Sequence, residues 1–462
     1  MTTHIGIIGA GPAGMSAAIR LVEAGCRITI LDEQPSPGGQ IYRNASIASD
    51  PLITLLGDDY ETGVRLSRKF LKITEHEHCR YIPNASVWSV NPDGIVSWMV
   101  DEQVEAFGFD GLIIGNGALE RPMPLKGWTL PGVMTVGAAQ ILLKTSETPL
   151  RDTVLVGAGP LLYLVAVQLI RSGFPPTAIV ETQSLTDLIK ASRHLWRINT
   201  KTLAYLVKGL EFISVIKKAG VKRYTGVKRI EIDKVADHLR ISFKDGSRLR
   251  WVESEYALLH SGVVPNTQIT RSLDIDHRWN PGNQSFDPVT NQFGLAKSAV
   301  SENIWLAGDG AKILGADAAI ISGKIVAEDV LDKFSFASFD PARRKNLLKQ
   351  KDRFGPIRQF LDECYRPSTE ILDPDGDVIV CRCEEVKAVD VRKAIALGAQ
   401  GPNQLKAFTR CGMGNCQGRY CGLTVSQMVA SARDMELDEV GYYRIRTPLK
   451  PITLKELSTY HE

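Results

Sequence analysis

Residues 4–32 read HIGII GAGPAG MSAAIRLVEAG CRITILD, and this stretch decides the expected fold. The apolar run His4–Ile8 predicts a strand, the glycine-rich hexapeptide 9–14 predicts a turn, and Met15–Ala24 predicts a helix. A second apolar run at Arg27–Leu31 predicts the next strand. Strand, turn, helix and strand form one βαβ unit, so the sequence predicts an α/β fold with a parallel sheet.

The glycines of the turn have the spacing G-x-G-x-x-G. The first glycine permits the tight turn, the second lets the backbone approach a pyrophosphate, and the third allows the helix to pack closely on the strand. An acidic residue at the end of the second strand can accept the ribose hydroxyls of a dinucleotide. A glycine turn without a ligand is the alternative interpretation. The expected binding residues in this segment are Gly9, Gly11, Pro12, Ala13, Gly14, Asp32 and, as a substitute for Asp32, Glu33.

A second copy of the same pattern follows near residue 153. Thr153–Val156 predicts a strand, Gly157-Ala158-Gly159 a turn, and Leu161–Ser172 a helix. Leu162 occupies the third glycine position, where a large side chain interferes with helix–strand packing. Glu181 stands at the ribose position, and no arginine follows closely to hold a 2′-phosphate. The sequence therefore predicts two nucleotide-binding folds in tandem, of which the second is degenerate and disfavours NADP.

Composition excludes several classes of function. The chain has 462 residues, which predicts two to four domains. Its 55 basic and 52 acidic residues give a net charge of +3 and no basic run, so we expect no nucleic-acid binding. The N-terminus has no signal-peptide pattern, and the longest apolar stretch, Leu161–Ile170, is too short to span a bilayer. We expect a cytoplasmic protein without membrane insertion.

Two further glycine motifs extend the first one. Gly38-Gly39-Gln40 follows the acidic strand end, and a predicted strand at Asn303–Ala307 ends in Gly308-Asp309. Together with the first turn they resemble the two-dinucleotide-binding-domain flavoproteins. The resemblance implies FAD, with Gly39 and Gln40 along the cofactor and Gly308 and Asp309 at its ribityl chain. An aspartate that caps a helix is the alternative for Asp309.

Five of the eight cysteines lie close together near the C-terminus: Cys381, Cys383, Cys411, Cys416 and Cys421. Clustered thiols in a reducing compartment indicate a metal rather than disulfides. Thiolates bind both iron–sulfur clusters and zinc, and the spacing does not choose between them. No Cys-x-x-Cys lies beside either glycine turn, so the redox-disulfide chemistry of thioredoxin or glutathione reductases is not expected.

The surrounding sequence adds a resemblance. Residues 380–386 (VCRCEEV) and 409–421 (TRCGMGNCQGRYC) resemble the bacterioferritin-associated-ferredoxin-like [2Fe–2S] domain. This resemblance implies that Cys381, Cys383, Cys416 and Cys421 are the cluster ligands and that Cys411 is not. The chain departs from the simplest members in its last pair of cysteines, which is separated by four residues instead of two.

The whole chain resembles the large flavoprotein subunits of bacterial amine and imino-acid dehydrogenase complexes. These include opine oxidase, D-hydroxyproline dehydrogenase, hydrogen cyanide synthase and heterotetrameric sarcosine oxidase. The resemblance implies an electron-transfer role, with opines as the favoured substrates. It also implies a glycine-oxidase-like β subunit that holds its own FAD; further candidates are an interface FMN and a small ferredoxin-like subunit. Substrate oxidation is then expected on the β subunit, and no catalytic residue is expected here.

The expected organisation is a tandem Rossmann-like flavoprotein with a small C-terminal helical [2Fe–2S] domain. The expected bounds are 1–120 with 300–335 for the FAD domain, 121–299 for the inserted domain, 336–372 for a helical linker, 373–430 for the cluster domain and 431–462 for a tail. Two other functions stay open. One is a self-sufficient NADH-dependent reductase, and the other is a non-catalytic scaffold that binds a nucleotide and structural zinc.

Overall fold

The computed structural model describes residues 3–298 and 302–460; the expected boundary at residues 299–300 lies outside them. The strands are β1 (His4–Ile8), β2 (Arg27–Leu31), β3 (Cys79–Ile82), β4 (Ser86–Val90), β5 (Ile95–Val100), β6 (Gln103–Gly108), β7 (Gly111–Ile114), β8 (Ala118–Glu120), β9 (Val133–Thr135), β10 (Thr153–Ala158), β11 (Ala178–Glu181), β12 (Lys222–Thr225), β13 (Lys228–Val235), β14 (His238–Asp245), β15 (Arg248–Ser254), β16 (Tyr256–Ser261), β17 (Val263–Pro265), β18 (His277–Asn280), β19 (Ser285–Pro288), β20 (Ile304–Leu306), β21 (Ile379–Cys381) and β22 (Val386–Lys387).

The helices are α1 (Pro12–Glu23), α2 (Asp50–Leu56), α3 (Asp58–Ile73), α4 (Val136–Ser146), α5 (Pro160–Arg171), α6 (Leu185–Ser192), α7 (Thr200–Lys218), α8 (Gln268–Ser272), α9 (Ala316–Lys333), α10 (Pro341–Asp352), α11 (Gly355–Cys364), α12 (Thr369–Leu372), α13 (Ala388–Ala396), α14 (Pro402–Thr409), α15 (Gly422–Arg433), α16 (Leu437–Val440) and α17 (Leu454–Leu457). Two 3₁₀ helices lie at Arg193–Arg197 and Gly308–Gly310.

The first sheet contains five parallel strands in the order β20-β7-β1-β2-β3. Its central strand β1 is almost entirely buried, as its continuous apolar sequence requires in a sheet covered on both faces. Strand β20 comes from far along the chain and pairs with β7, with Ile304 opposite Leu112. The first nucleotide-binding fold is therefore assembled from two distant segments.

The second sheet repeats this design in the intervening segment, with parallel strands in the order β12-β11-β10-β16-β9. An antiparallel sheet, β13-β14-β15, accompanies it, as β4-β5-β6 accompanies the first. Helix α5 follows β10 and is buried along most of its length. The expected tandem of Rossmann-like units is confirmed.

Helices α1 and α9 pack so closely that their backbones are in contact. A Cβ atom at Gly323 of α9 would lie 2.0 Å from the carbonyl oxygen of Ala13, far inside van der Waals contact. A buried ion pair between Arg20 Nε and Glu328 Oε1 (2.6 Å) joins the same helices. Because α9 follows the Gly308–Gly310 turn, this packing fixes that turn beside the start of α1.

The C-terminal module combines the β21–β22 pair with helices α13, α14 and α15. Its core includes three of the cysteines together with Val425 and Met428. The segment after residue 431, expected to be a tail, contributes Tyr443 and Leu449 to the same core. None of the helices in the described ranges combines the length and apolar composition that a bilayer crossing needs.

We predict that Gly323→Ala destabilises the protein by about 1–3 kcal/mol, because the added methyl group forces α1 and α9 apart. Gly209→Ala is the matched control in α7, where a Cβ atom meets nothing within 4 Å. That substitution should stabilise the protein by up to about 1 kcal/mol, because alanine favours the helix. Urea unfolding measures both values, and equal effects of the two substitutions would contradict the close packing.

Candidate nucleotide site and cysteine cluster

The first glycine turn joins β1 to α1 by backbone contacts. Gly9 has a φ of +99°, which favours glycine, and its amide donates to the carbonyl of Leu31 at 2.7 Å. A Cβ at Gly14 would lie 1.9 Å from the carbonyl oxygen of Gly9, so the third glycine is required by packing. Pro12 begins α1 and Ala13 is buried in its first turn. These residues lie together as the sequence predicts.

Gly11 is different, because nothing in the described protein requires a glycine there. Its φ is −76°, which any residue can adopt, and a Cβ would meet only the Cα of Gly39, at 3.9 Å. The space in front of Gly11 is therefore open and is bordered by the Gly38-Gly39 segment. The start of α1 faces this space with its positive dipole end, which suits a pyrophosphate.

Asp32 supports the turn from the side. Its two carboxylate oxygens accept the amides of Ala10 (2.5 Å) and Gln34 (2.8 Å). Burial raises the pKa of Asp32, and these two hydrogen bonds oppose that shift. A carboxylate can accept further hydrogen bonds, so a ribose contact fits the geometry. Glu33 instead lies on the surface and pairs with Lys450 at 2.5 Å.

The Gly38–Gln40 segment is held by a residue that the sequence does not signal. Lys144 of α4 is almost fully buried and donates to the carbonyls of Gln40 (3.3 Å) and Ile41 (2.8 Å) and to the side chain of Gln140 (2.9 Å). Burial lowers the pKa of Lys144 to about 7. This contact ties the second nucleotide-binding fold to the edge of the first site.

Gly308 and Asp309 also lie beside the start of α1. A Cβ at Gly308 would meet Ala13 at 2.9 Å, so this turn approaches the helix closely. Asp309 Oδ1 accepts the amides of Leu314 (2.9 Å) and Gly315 (3.1 Å), which precede α9. Asp309 therefore orders the loop that precedes α9. This role resembles the helix cap that was the alternative interpretation of Asp309.

The second glycine turn lies between β10 and α5 as the first lies between β1 and α1, but Gly159 has a φ of +133° where Gly11 has −76°. A Cβ at Gly159, the counterpart of Gly11, would meet the ring of His260 at 2.9 Å. His260 is 3% exposed, and its Nδ1 lies 2.7 Å from Glu120 Oε1. The imidazole thus fills the space in front of Gly159, whereas the space in front of Gly11 is open. Only the fold brings these residues together, so the sequence does not reveal the pair.

The acidic residue of the second unit is also engaged. Glu181 is fully buried and accepts two hydrogen bonds from Arg223, at 2.7 and 2.9 Å, and one from the Tyr163 hydroxyl at 3.0 Å. Leu162 lies in the core of the same unit. The second unit therefore keeps the nucleotide-binding fold, while its own side chains lie against Gly159 and hydrogen-bond to Glu181.

The cysteines of the C-terminal module form two neighbouring groups. The sulfur atoms of Cys381, Cys411 and Cys421 lie within 4.8 Å of one another, and all three residues are buried. Cys383 is exposed and its thiol contacts that of Cys416. Cys411, which the resemblance leaves out of the ligand set, is thus one of the three closest thiols. Cys383 and Cys416, which the resemblance includes, lie beside that group.

The environment of the three buried thiols separates their roles. The hydrogen bond between Cys381 and Cys411 lowers the pKa of the Cys381 thiol and raises the pKa of the Cys411 thiol. Tyr443 closes the pocket, and a Cβ at Gly412 would meet its ring at 2.5 Å. Among the described residues, the group holds sulfur donors only, which fits an iron–sulfur cluster or zinc.

Two family models match the chain. Residues 3–323 match the pyridine nucleotide-disulphide oxidoreductase family. Residues 376–460 match the sarcosine oxidase A3 domain. The first match spans both nucleotide-binding folds, and the second spans the cysteine cluster and the residues that pack on it.

Individual relatives cover almost the whole chain. An opine oxidase subunit from Rhizobium meliloti is 39% identical over 98% of this chain and 86% of its own. Hydrogen cyanide synthase subunit HcnB of Pseudomonas protegens is 32% identical over 96% of this chain and 95% of its own. The crystal structure of L-proline dehydrogenase from P. horikoshii superimposes with a TM-score of 0.71 over 99% of this chain and 79% of its own. Its 18% identity makes it evidence for the fold alone.

We predict that Gly11→Ala leaves the unfolding temperature of the cofactor-free protein unchanged but removes bound nucleotide. The methyl group has room in the protein, yet it fills the groove. Gly14→Ala should instead lower the unfolding temperature, because its methyl group meets the Gly9 carbonyl. Thermal unfolding and the cofactor released on denaturation measure the two effects. A full complement of nucleotide in Gly11→Ala would refute the site.

A second prediction concerns the cysteines. Serine at Cys381, Cys383, Cys416 or Cys421 should abolish iron and labile sulfide, because each of two irons needs two thiolates. Cys411→Ser should keep both but shift the reduction potential, because Cys411 contacts the sulfur of Cys381. Iron and sulfide analysis with EPR of the reduced protein measures this. Loss of iron in Cys411→Ser together with its retention in Cys383→Ser would reverse the assignment.

Proposed function

The chain belongs to the pyridine nucleotide-disulphide oxidoreductase family and to the family of opine oxidase and hydrogen cyanide synthase subunits, and from this premise we propose that it is the electron-transferring flavoprotein subunit of a heteromeric amine or imino-acid dehydrogenase. One observation carries the proposal. A single chain combines an open nucleotide turn with a buried thiol cluster, while its second nucleotide turn is filled by its own side chains.

The open turn is proposed to bind FAD. The groove at Gly11 fits the pyrophosphate, Asp32 stands where a ribose can be contacted, and Gly39 and Gln40 line the edge. Gly308 and Asp309 border the same helix start and are proposed to face the ribityl chain. When bound, a flavin accepts two electrons and releases them singly, as a one-electron centre requires. An ADP-containing nucleotide other than FAD would use the same groove.

The thiol cluster is proposed to hold [2Fe–2S] through Cys381, Cys383, Cys416 and Cys421. These four can be divided into two pairs, Cys381 with Cys421 and Cys383 with Cys416, as the two irons require. Cys411 is then the neighbouring thiol that donates a hydrogen bond to Cys381. A cluster of five cysteines in one short segment is typical of metal binding in a reducing compartment, and we propose that the protein lies in the cytoplasm.

Substrate oxidation is assigned to a partner subunit. Several relatives are named as subunits, of opine oxidase and of hydrogen cyanide synthase. We propose a β subunit with its own FAD as the partner, and opines as the first substrate class. D-hydroxyproline, glycine and sarcosine are the other candidates. An FMN at the interface and a small ferredoxin-like subunit remain part of this proposal.

The two rival functions find less support. An NADH-dependent reductase needs a working second site, and His260, Glu181 and Leu162 occupy its turn, ribose position and helix contact. A scaffold with structural zinc would use the same thiols, but it leaves the similarity to oxidase subunits without a role. Metal analysis separates zinc from iron.

We predict that the chain alone oxidises no amine and that an added β-type subunit restores activity. The assay uses octopine, nopaline, D-hydroxyproline, sarcosine and glycine with an artificial electron acceptor. Turnover of any of these by the lone chain would overturn the electron-transfer role.

Anaerobic addition of NADH to the lone chain tests the reductase alternative. The flavin spectrum should remain oxidised, because the ring of His260 occupies the second turn. Rapid bleaching by NADH would favour the self-sufficient reductase.

A further inference from the structure

A narrow cleft lies between the segment that follows β17 and the loop that carries Cys416 and Cys421. Its internal volume is about 20 Å³, which is room for about one water-sized group, and it opens to solvent on one side, so a larger group would enter it with one oxygen only. The side chains that matter for its chemistry are Asn266, Thr267, Gln268, Arg271, Arg419 and Tyr442.

Arg271 is held in the cleft by contacts that leave its charge uncompensated. Its Nε donates to Thr267 Oγ1 at 3.1 Å, and its guanidinium lies 4.0 Å from the centre of the Tyr442 ring. Its Nη2 is buried and has no hydrogen-bond partner among the described residues. Desolvation lowers its pKa to about 10, and among the described residues no carboxylate counters this shift.

Arg419 approaches the same cleft from the cysteine loop. Its Nε is buried without a partner in the described part of the chain. The loop is fixed here, because Tyr442 donates to the carbonyl of Gly418 at 3.0 Å and Gln268 donates to that of Gln417 at 3.4 Å. Two guanidinium groups with unused N–H donors therefore border one small space.

The side-chain oxygens of Asn266 and Gln268 are also buried, and within residues 3–298 and 302–460 they have no hydrogen-bond partner; Gln268 is only 5% exposed. Buried polar atoms are almost always hydrogen-bonded, so four unpaired groups around one cleft indicate a missing partner. That partner must accept from two guanidinium groups and donate to amide oxygens.

We propose that this cleft is an oxyanion-binding subsite that takes the phosphate or carboxylate of a small ligand that also carries an O–H or N–H donor. The oxyanion lies between the two arginines, which match such groups with directed hydrogen bonds. The donor lies against Asn266 and Gln268. The ligand would then connect the β17–α8 segment to the cysteine loop.

The test titrates the full-length chain with inorganic phosphate at constant ionic strength and follows thermal unfolding. Phosphate should raise Tm in the wild type and in Arg446→Gln, an exposed arginine of the same module. Arg419→Gln should bind roughly tenfold to a hundredfold more weakly, the loss expected for a charge-assisted hydrogen bond. The iron content of Arg419→Gln shows whether this variant keeps its cysteine centre. If its iron content falls, Arg271→Gln is used in its place.

Two further measurements identify the class of ligand and the location of its binding site. The phosphate effect should survive Gly11→Ala, since the glycine turn is a separate anion site. Malate in place of phosphate distinguishes a carboxylate ligand from a phosphate ligand. Arg419→Gln is therefore compared in the Gly11→Ala chain, in which the glycine turn no longer contributes. An unchanged phosphate response of that double variant, or no response of Gly11→Ala itself to either anion, would overturn the subsite. Neither result bears on the flavin and cluster proposals, which rest on other residues.

Discussion

The close approach of backbone to backbone at the first glycine turn is the contact on which the site depends. Gly14 lies against the carbonyl of Gly9, and Gly323 lies against that of Ala13, so no side chain fits at either position. These contacts bring β1, α1 and α9 together at one point. Because α9 follows the Gly308–Gly310 turn, they also place Asp309 beside the start of α1. The groove at Gly11 is open because the surrounding elements are fixed this closely.

The two nucleotide-binding folds show how one pattern can serve two purposes. Gly11 faces open space, while Gly159 faces the ring of His260, which Glu120 holds in place. Glu181, the acidic residue of the second unit, accepts hydrogen bonds from Arg223 and Tyr163 inside the protein. A unit closed in this way still contributes packing, and through Lys144 it holds the edge of the first site. The proposed function, in which electrons come from another chain, needs no nucleotide at this second turn.

The C-terminal module concentrates thiols and arginines around two tyrosines. Tyr443 lies against the cysteine loop at Gly412 and Gly418, and Tyr442 lies under Arg271. The same loop therefore carries both the thiols and one wall of the arginine cleft. A ligand in that cleft would bear directly on the loop that holds Cys416 and Cys421, which gives a physical means for the two sites to influence each other.

The sequence by itself determined the first βαβ unit and its glycine turn. It located β1 and β2 at their observed bounds and the degenerate second turn, because periodicity and glycine spacing are local properties. The sequence also showed that five cysteines lie in one short segment near the C-terminus. The tertiary structure alone decided which thiols are nearest neighbours, that His260 fills the second turn, and that Lys144 and Arg271 reach their sites. Those contacts join residues far apart in the chain, and their geometry depends on packing, which no local pattern records.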